Sequence, residues 1–298
     1  MPNNRTQILI VAQRTITKWL KKPFFWQAML LPIVIIIVGM LVTQGSSKGS
    51  LSHQDIITLT NGMLAFYLLI MSYMYCNISA VEISEEKTSK LMELILSFSS
   101  TKAQLFGKIT GVIGLLLINT GIYLVSFKLI FIFTPKLLVF QKVVQELSAP
   151  KVMFLVVDIL GAMLWLIEAG TEVGMYVSQK KQVQGSIFPF VLAIGMAISL
   201  ALMPMSAWSE AGMGWFYKVC LLSPLVGPIC LPTSLVDGEI DYVFAWIALM
   251  INLLEAVFLI VWMLPKQYKI AYLSKKTSSP YMQAFNNELK IIAHDTTE

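Results

Sequence analysis

Six apolar stretches, separated by short charged links, dominate this sequence and constrain what it can fold into. They run from Phe24 to Val42, Ile57 to Ala80, Ile109 to Phe133, Val152 to Val177, Ile187 to Met205 and Val243 to Leu264. About twenty residues of α-helix cross a hydrocarbon core of about 30 Å, and a helix satisfies its backbone polar groups internally. The 298 residues are 56% hydrophobic and only 13% charged, too few charges to clothe a water-soluble domain of this length. The expected fold is therefore all-α: a polytopic membrane protein with six transmembrane helices over residues 24–264. Residues 1–23 precede this domain and a polar tail, 265–298, follows it, with Ser278-Ser279-Pro280 as a break.

The basic residues set the orientation. Arg5, Arg14, Lys18, Lys21 and Lys22 precede the first run, and Lys87, Lys90, Lys102 and Lys108 lie between the second and third. Lys180 and Lys181 follow the fourth run, while Lys266, Lys269, Lys275, Lys276 and Lys290 follow the sixth. The opposite side holds only Lys48, Lys136, Lys142, Lys151 and Lys218, with Lys128 near the outer end of the third run. The positive-inside rule then places both termini in the cytoplasm of a multi-pass cell membrane protein. The net charge of +5 is spread over these links, not gathered into a nucleic-acid-binding domain. The near absence of Arg beside many Lys points to an AT-rich bacterial genome. Lys18, Lys21 and Lys22 before an apolar run also outline a signal peptide. The basic region is long, however, and Gln44-Gly45-Ser46-Ser47 offers no small-x-small cleavage site, so the first run is read as an uncleaved anchor.

Within residues 5–22, Ile8, Ala12, Ile16, Trp19 and Leu20 recur at helical spacing, with Gln13, Arg14, Lys18 and Lys21 mostly opposite. This pattern predicts an interfacial amphipathic helix over 1–23, apolar face at the acyl boundary and basic face at anionic headgroups, with Trp19 at the interface. Between the second and third runs lies Glu82-Ile83-Ser84-Glu85-Glu86-Lys87-Thr88-Ser89-Lys90-Leu91-Met92-Glu93-Leu94-Ile95-Leu96-Ser97. It predicts a short charged helix over about 82–97. Leu91, Leu94 and Ile95 share one side, and Glu86, Lys90 and Glu93 another. The residues alone allow two readings, a solvated topology anchor or a surface on which a partner pulls.

The run from Glu86 to Ser97, followed by Gln104-Leu105-Phe106-Gly107-Lys108, resembles the coupling-helix signature of type 2 ABC exporter permeases. The nearest group is the sodium-extrusion and peptide or drug export permeases of Gram-positive bacteria. Pro32 within the first run, Gly174 before the polar turn 178–182, and Ser223-Pro224-Leu225-Val226-Gly227-Pro228 with Pro232 agree with that family. The last group resembles its outer re-entrant segment, here about 215–236. Unlike the sodium-extrusion members, this chain places only residues 43–56 between its first two runs, without their large external domain. The resemblance implies a permease subunit without enzymatic activity of its own, exporting a small amphipathic peptide such as a bacteriocin or toxin, or another amphiphile. Drug, sodium, lipid or sugar chain remain as other cargoes. It also implies a separate ATPase subunit in two copies, which binds ATP and magnesium, and a second permease in a homodimer or heterodimer. Glu86, Lys87, Lys90, Leu91, Glu93 and Leu94 are the expected ATPase contacts. No GxxxxGK[ST] phosphate loop occurs in these residues, and Gly107-Lys108 runs straight into Ile109.

Asp158, Glu168, Glu172 and Glu255 fall inside apolar runs, where an ionisable group is costly and often functional. Glu168 and Glu172 share a helix face beside Gly170 and Gly174, whose GxxxG spacing permits close helix approach. These acids make an ion-coupled secondary transporter the rival reading. The structural alternative has Asp158 and Glu172 at the two membrane surfaces and Glu168 and Glu255 paired within the bundle. Gly107 and Gly111 are a second helix-packing pair. The only histidines, His53 and His294, lie outside the runs, so neither a metal site nor a histidine-dependent membrane protease can be assembled. Cys76, Cys220 and Cys230 form no CxxC pair; Cys220 and Cys230 are read as separate buried thiols or as a pair that meets outside. The 17 methionines are read as lipid-facing or core filler, or as the lining of a pliable amphiphile path.

Overall fold

A computed structural model describes residues 4–46, 53–88, 100–133, 149–177, 182–201, 212, 214–223, 226–227, 230–231, 234 and 240–273. Among these residues every regular element is helical. The elements are α1 (Asn4–Leu20), α2 (Pro23–Ser46), α3 (His53–Thr88), α4 (Thr101–Phe133), α5 (Ala149–Tyr176), α6 (Gln182–Ala201), α7 (Gly214–Leu221) and α8 (Tyr242–Phe258). A π-helical turn, Leu259–Met263, joins α8 to α9 (Leu264–Leu273). Pro265 accounts for its place, because a proline in the next turn cannot supply the amide that an unbroken α-helix needs.

Four segments among the described residues are long and apolar enough to cross a membrane. They are Phe66–Glu85 of α3, Thr101–Ser126 of α4, Met153–Tyr176 of α5, and Tyr242–Ala271 through α8 and α9. The described apolar parts of α2 and α6 are shorter, Pro23–Val34 and Val183–Met196.

Helix α3 is central and packs on α2, α4, α5 and α6. Its largest interface is with α5, and two glycines explain the close approach. A Cβ on Gly170 would stand 2.3 Å from the Cys76 carbonyl oxygen, and one on Gly174 would stand 2.5 Å from that of Ala80. Only hydrogen fits at either place. Both contacts keep the same offset in sequence, so α3 and α5 run parallel. Ser79 Oγ donates to the Ile167 carbonyl at 2.8 Å and pairs with the Thr171 hydroxyl, adding polar ties where water is excluded. Around them Leu68, Met71, Met74, Tyr75 and Ile78 of α3 and Met163 and Ile167 of α5 are fully or nearly fully buried. These methionines are core residues.

A second glycine stripe seats α1. Cβ atoms on Gly107, Gly111 and Gly114 of α4 would meet Val11 at 2.6 Å, Thr15 at 2.7 Å and Ile16 at 2.7 Å. Helix α1 therefore runs lengthwise along the start of α4, and α2 continues in the same direction, with Tyr123 donating its hydroxyl to the Met29 carbonyl at 2.6 Å. This differs from the expected interfacial placement in one physical respect. The side carrying Ala12, Ile16 and Trp19 is occupied by protein, whereas Leu9 and Ile10 are the exposed apolar residues.

The helix ends also differ from the sequence expectation. Helix α3 does not stop at Ala80 but continues unbroken to Thr88, so Glu82–Thr88 are its last turns and not the start of a separate helix. The Glu82 and Glu85 side chains are held by α1, and Lys108 of α4 bonds the Glu82 backbone, which removes the reason to end the helix where hydropathy falls. Helix α4 begins at Thr101, ahead of Ile109, with Ser100 Oγ accepting the Ala103 amide at 3.2 Å as an N-cap.

Candidate functional site

The last turns of α3 form a buried charged joint with α1 and α4. Glu82 is only 6% exposed and is held by three side chains of α1. Lys18 donates to one carboxylate oxygen, Trp19 Nε1 donates to the same oxygen at 2.6 Å, and Thr15 approaches the other at 3.5 Å. Lys18 also reaches Glu85 at 2.5 Å. From α4, the buried Lys108 donates to the backbone carbonyl of Glu82 at 2.8 Å. Thus three elements distant in sequence are tied at one point, with a cation from each neighbouring helix.

Trp19 is 3% exposed and hydrogen-bonded inside this joint, so its indole is covered by protein. Lys18 likewise serves an ion pair, not a headgroup. Lys22 takes the aromatic face instead, 3.6 Å above the Trp19 ring, and Trp26 Nε1 donates to the Leu20 carbonyl across the α1–α2 bend.

Burial by itself would lower the Lys18 ammonium, but hydrogen bonds and charge from Glu82 and Glu85 outweigh it and raise the group above 10.5. The folded chain thus holds this proton more tightly than the unfolded chain. Its stabilisation is complete below pH 10.5 and is lost only as pH climbs through the raised value. Labels at the exposed positions Ile10 and Thr110 should keep their separation up to that pH and part above it. Parting in the neutral range would show that Lys18 does not hold the joint.

Of the expected ATPase contacts, Glu86 and Lys87 belong to the final turn of α3, while Lys90, Leu91, Glu93 and Leu94 lie outside the described residues. Pro224, Pro228 and Pro232 of the re-entrant segment also lie outside them. What is described there is α7 and two tight turns, with Gly227 N–H donating to the Ser223 carbonyl at 2.7 Å and Cys230 N–H to that of Val226 at 3.0 Å.

The intramembrane acids separate into different environments. Glu168 is buried and interacts with its surroundings, and Glu172 on the same helix is partly exposed and also engaged. Asp158 is completely buried, and neither of its oxygens has a hydrogen-bond partner among the described residues. Glu255 faces outward from α8, so it is not paired within this bundle as the structural alternative requires. Cys76, Cys220 and Cys230 are all free. No group of three or more His, Cys, Asp or Glu suited to a metal occurs among the described residues.

The sequence reading divides the joint among separate elements, with Lys18 and Lys108 as topology signals, Trp19 in an interfacial helix and Glu82 in the charged loop helix. Two signals were available: Glu82 and Lys108 both adjoin apolar runs that helices readily extend, and Lys108 sits between Gly107 and Gly111 in a packing stripe. Asn252 was also passed over, although a lone amide in Ala248-Leu249-Met250-Ile251-Asn252-Leu253-Leu254 is conspicuous.

Comparison with known proteins finds no matching family model, no matching curated protein and no matching solved structure.

Proposed function

We propose that this chain is the membrane subunit of an ATP-driven exporter of the type 2 ABC class. In this reading it has six spans and cytoplasmic termini in a bacterial cell membrane, and exports a small amphipathic peptide or another amphiphile. A separate ATPase supplies the energy. The observation that carries the proposal is where the charged run begins. Glu86 and Lys87 extend α3, the most widely packed helix, immediately beyond the joint that fastens it to α1 and α4. A load applied at Glu86 or Lys87 would therefore reach the α3–α5 core through a continuous helix.

The outward face of α8 supports a second permease subunit. Glu255 stands about halfway along Tyr242–Ala271, among the exposed Ile251, Leu254 and Phe258. A carboxyl group facing hydrocarbon at that depth is costly, and a neighbouring permease helix with a polar donor would relieve it.

Purification of the tagged chain in mild detergent should bring down an ATPase with a phosphate loop in equal amount. Leu91→Asp should weaken that association about 30-fold, the effect of losing an interface anchor worth about 2 kcal/mol, and abolish transport with an unchanged thermal midpoint. Glu86→Lys should act in the same direction. A folded chain that recovers no ATPase would overturn the exporter reading and favour ion-coupled transport.

A further inference from the structure

At the opposite end of the bundle from the charged joint, Gly227 and Cys230 lie against two buried polar groups at the α5–α8 contact. These two helices run parallel. The Phe154 and Trp246 rings meet edge to face at 5.3 Å, and two turns on, a Cβ at Gly161 would stand 2.9 Å from Leu253. Both contacts have the same sequence offset. Asp158 lies one turn after Phe154 and one before Gly161, on the α5 face that meets α8.

Asp158 is 0% exposed and Asn252 of α8 is 3% exposed. Among the described residues, neither oxygen of the carboxyl and neither polar atom of the amide has a hydrogen-bond partner. Gly227 presses directly on this level. A Cβ at Gly227 would lie 2.7 Å from Asn252 Nδ2 and 2.4 Å from the Leu221 carbonyl oxygen. Cys230, one helical turn beyond Gly227, lies within electrostatic range of Asp158. The buried Tyr217 and Ser234 hydroxyls bond to each other at 2.6 Å.

A carboxylate buried with neither donor nor counter-charge costs several kcal/mol, and one proton removes that cost by making the group neutral. A metal ion is a poorer fit, since no cluster of three or more acid, thiol or imidazole ligands occurs among the described residues. Cys230 and Tyr217 are the titratable neighbours from outside the two helices. Helix α8 presents the uncharged Asn252, and α6 contains no ionisable residue. The α3–α5 register places Glu82 beside Tyr176, about 27 Å along the helix from Asp158. Lys108, bonded to Glu82, is at that same end.

We propose that Asp158 is a proton-binding site sealed by the packing of Gly227 and Cys230 over the α5–α8 contact. Loss of the proton leaves a charge that demands water, so deprotonation loosens this packing and the packed state keeps the proton in place. This inference does not depend on which cargo, or which energy source, the chain uses.

The test uses the full chain in lipid nanodiscs at neutral pH. Infrared spectra should contain a protonated-carboxyl stretch that disappears in Asp158→Asn and survives in Glu168→Gln and Glu172→Gln. Asn mimics the neutral acid, so Asp158→Asn should fold with a near wild-type thermal midpoint. It should also lose the part of the pH dependence that belongs to one bound proton, about a tenfold fall in the folding equilibrium per unit rise in pH. An unchanged band in folded Asp158→Asn, or the same pH dependence in both proteins, would show Asp158 to be ionised and overturn the proposal.

Discussion

Alanine at Gly170 is expected to destabilise the fold by about 1–3 kcal/mol, the usual cost of overpacking a well-filled core. The same exchange at Gly121 should stabilise it by about 0.5–1 kcal/mol. Both residues are within long helices, so helix propensity favours alanine equally in both. The surroundings reverse the sign. At Gly121 nothing lies within 4 Å of the new methyl group, whereas at Gly170 it would stand 2.3 Å from the backbone oxygen of Cys76 and 2.8 Å from its Cα. A side chain can turn aside, but the backbone of a packed helix moves only with the helix, so α3 and α5 must separate. Separation also stretches the bonds from Ser79 to Ile167 and Thr171. Thermal unfolding in one detergent should place Gly170→Ala below the parent and Gly121→Ala at or above it. Equal midpoints for the two variants would mean that α3 and α5 are not in contact.

The sequence made that packing legible because its signal is local: two glycines four apart on one helix face need only the pitch of the helix to be read. Gly107 and Gly111 were legible in the same way, and α1 is what they receive. The all-helical character followed from the apolar runs for an equally local reason, since backbone satisfaction in an apolar medium depends on the segment alone. What escaped was set by partners. Helix α3 passes Ala80 and carries Glu82 and Glu85 because Lys18 and Lys108 arrive from elsewhere in the chain, and no window around position 82 contains them. Trp19 was assigned to lipid by the same limitation, its indole having two suitable environments and only the assembled bundle choosing between them. Asp158 is the converse case. Its apolar neighbours mark the position as costly for a charge, but its burial beside Asn252 depends on residues such as Gly227 and Cys230 far along the chain.

Loss of the Glu82 side chain should be the most damaging change at the charged joint. Glu82→Ala removes the acceptor for the Trp19 indole, one of the two acceptors of Lys18, and the group facing Thr15. Breaking a fully buried pair from one side costs about 3–5 kcal/mol, and that figure is a ceiling here because the Lys18 side chain is 31% exposed. Glu82→Gln preserves an acceptor for the indole but not the charge, so its cost should be lower. Lys18 keeps Glu85 in either variant, which limits the loss without repairing the buried half of the network. The expected sequel is release of α1 from α4, seen as rapid tryptic cleavage after Arg14, Lys18 and Lys21 while the rest of the bundle stays protease-resistant. A double-mutant cycle with Lys18→Met should return a coupling of about 0.5–3 kcal/mol, as contacting members of one network do. If the end of α3 transmits force from an ATPase, Glu82→Ala should still bind that ATPase through residues 86–97, yet hydrolysis would no longer drive export. Retention of α1 with normal export would instead assign its seating to the glycine stripe of α4, and Gly111→Leu would then be the variant that detaches it, since a side chain there collides with Thr15.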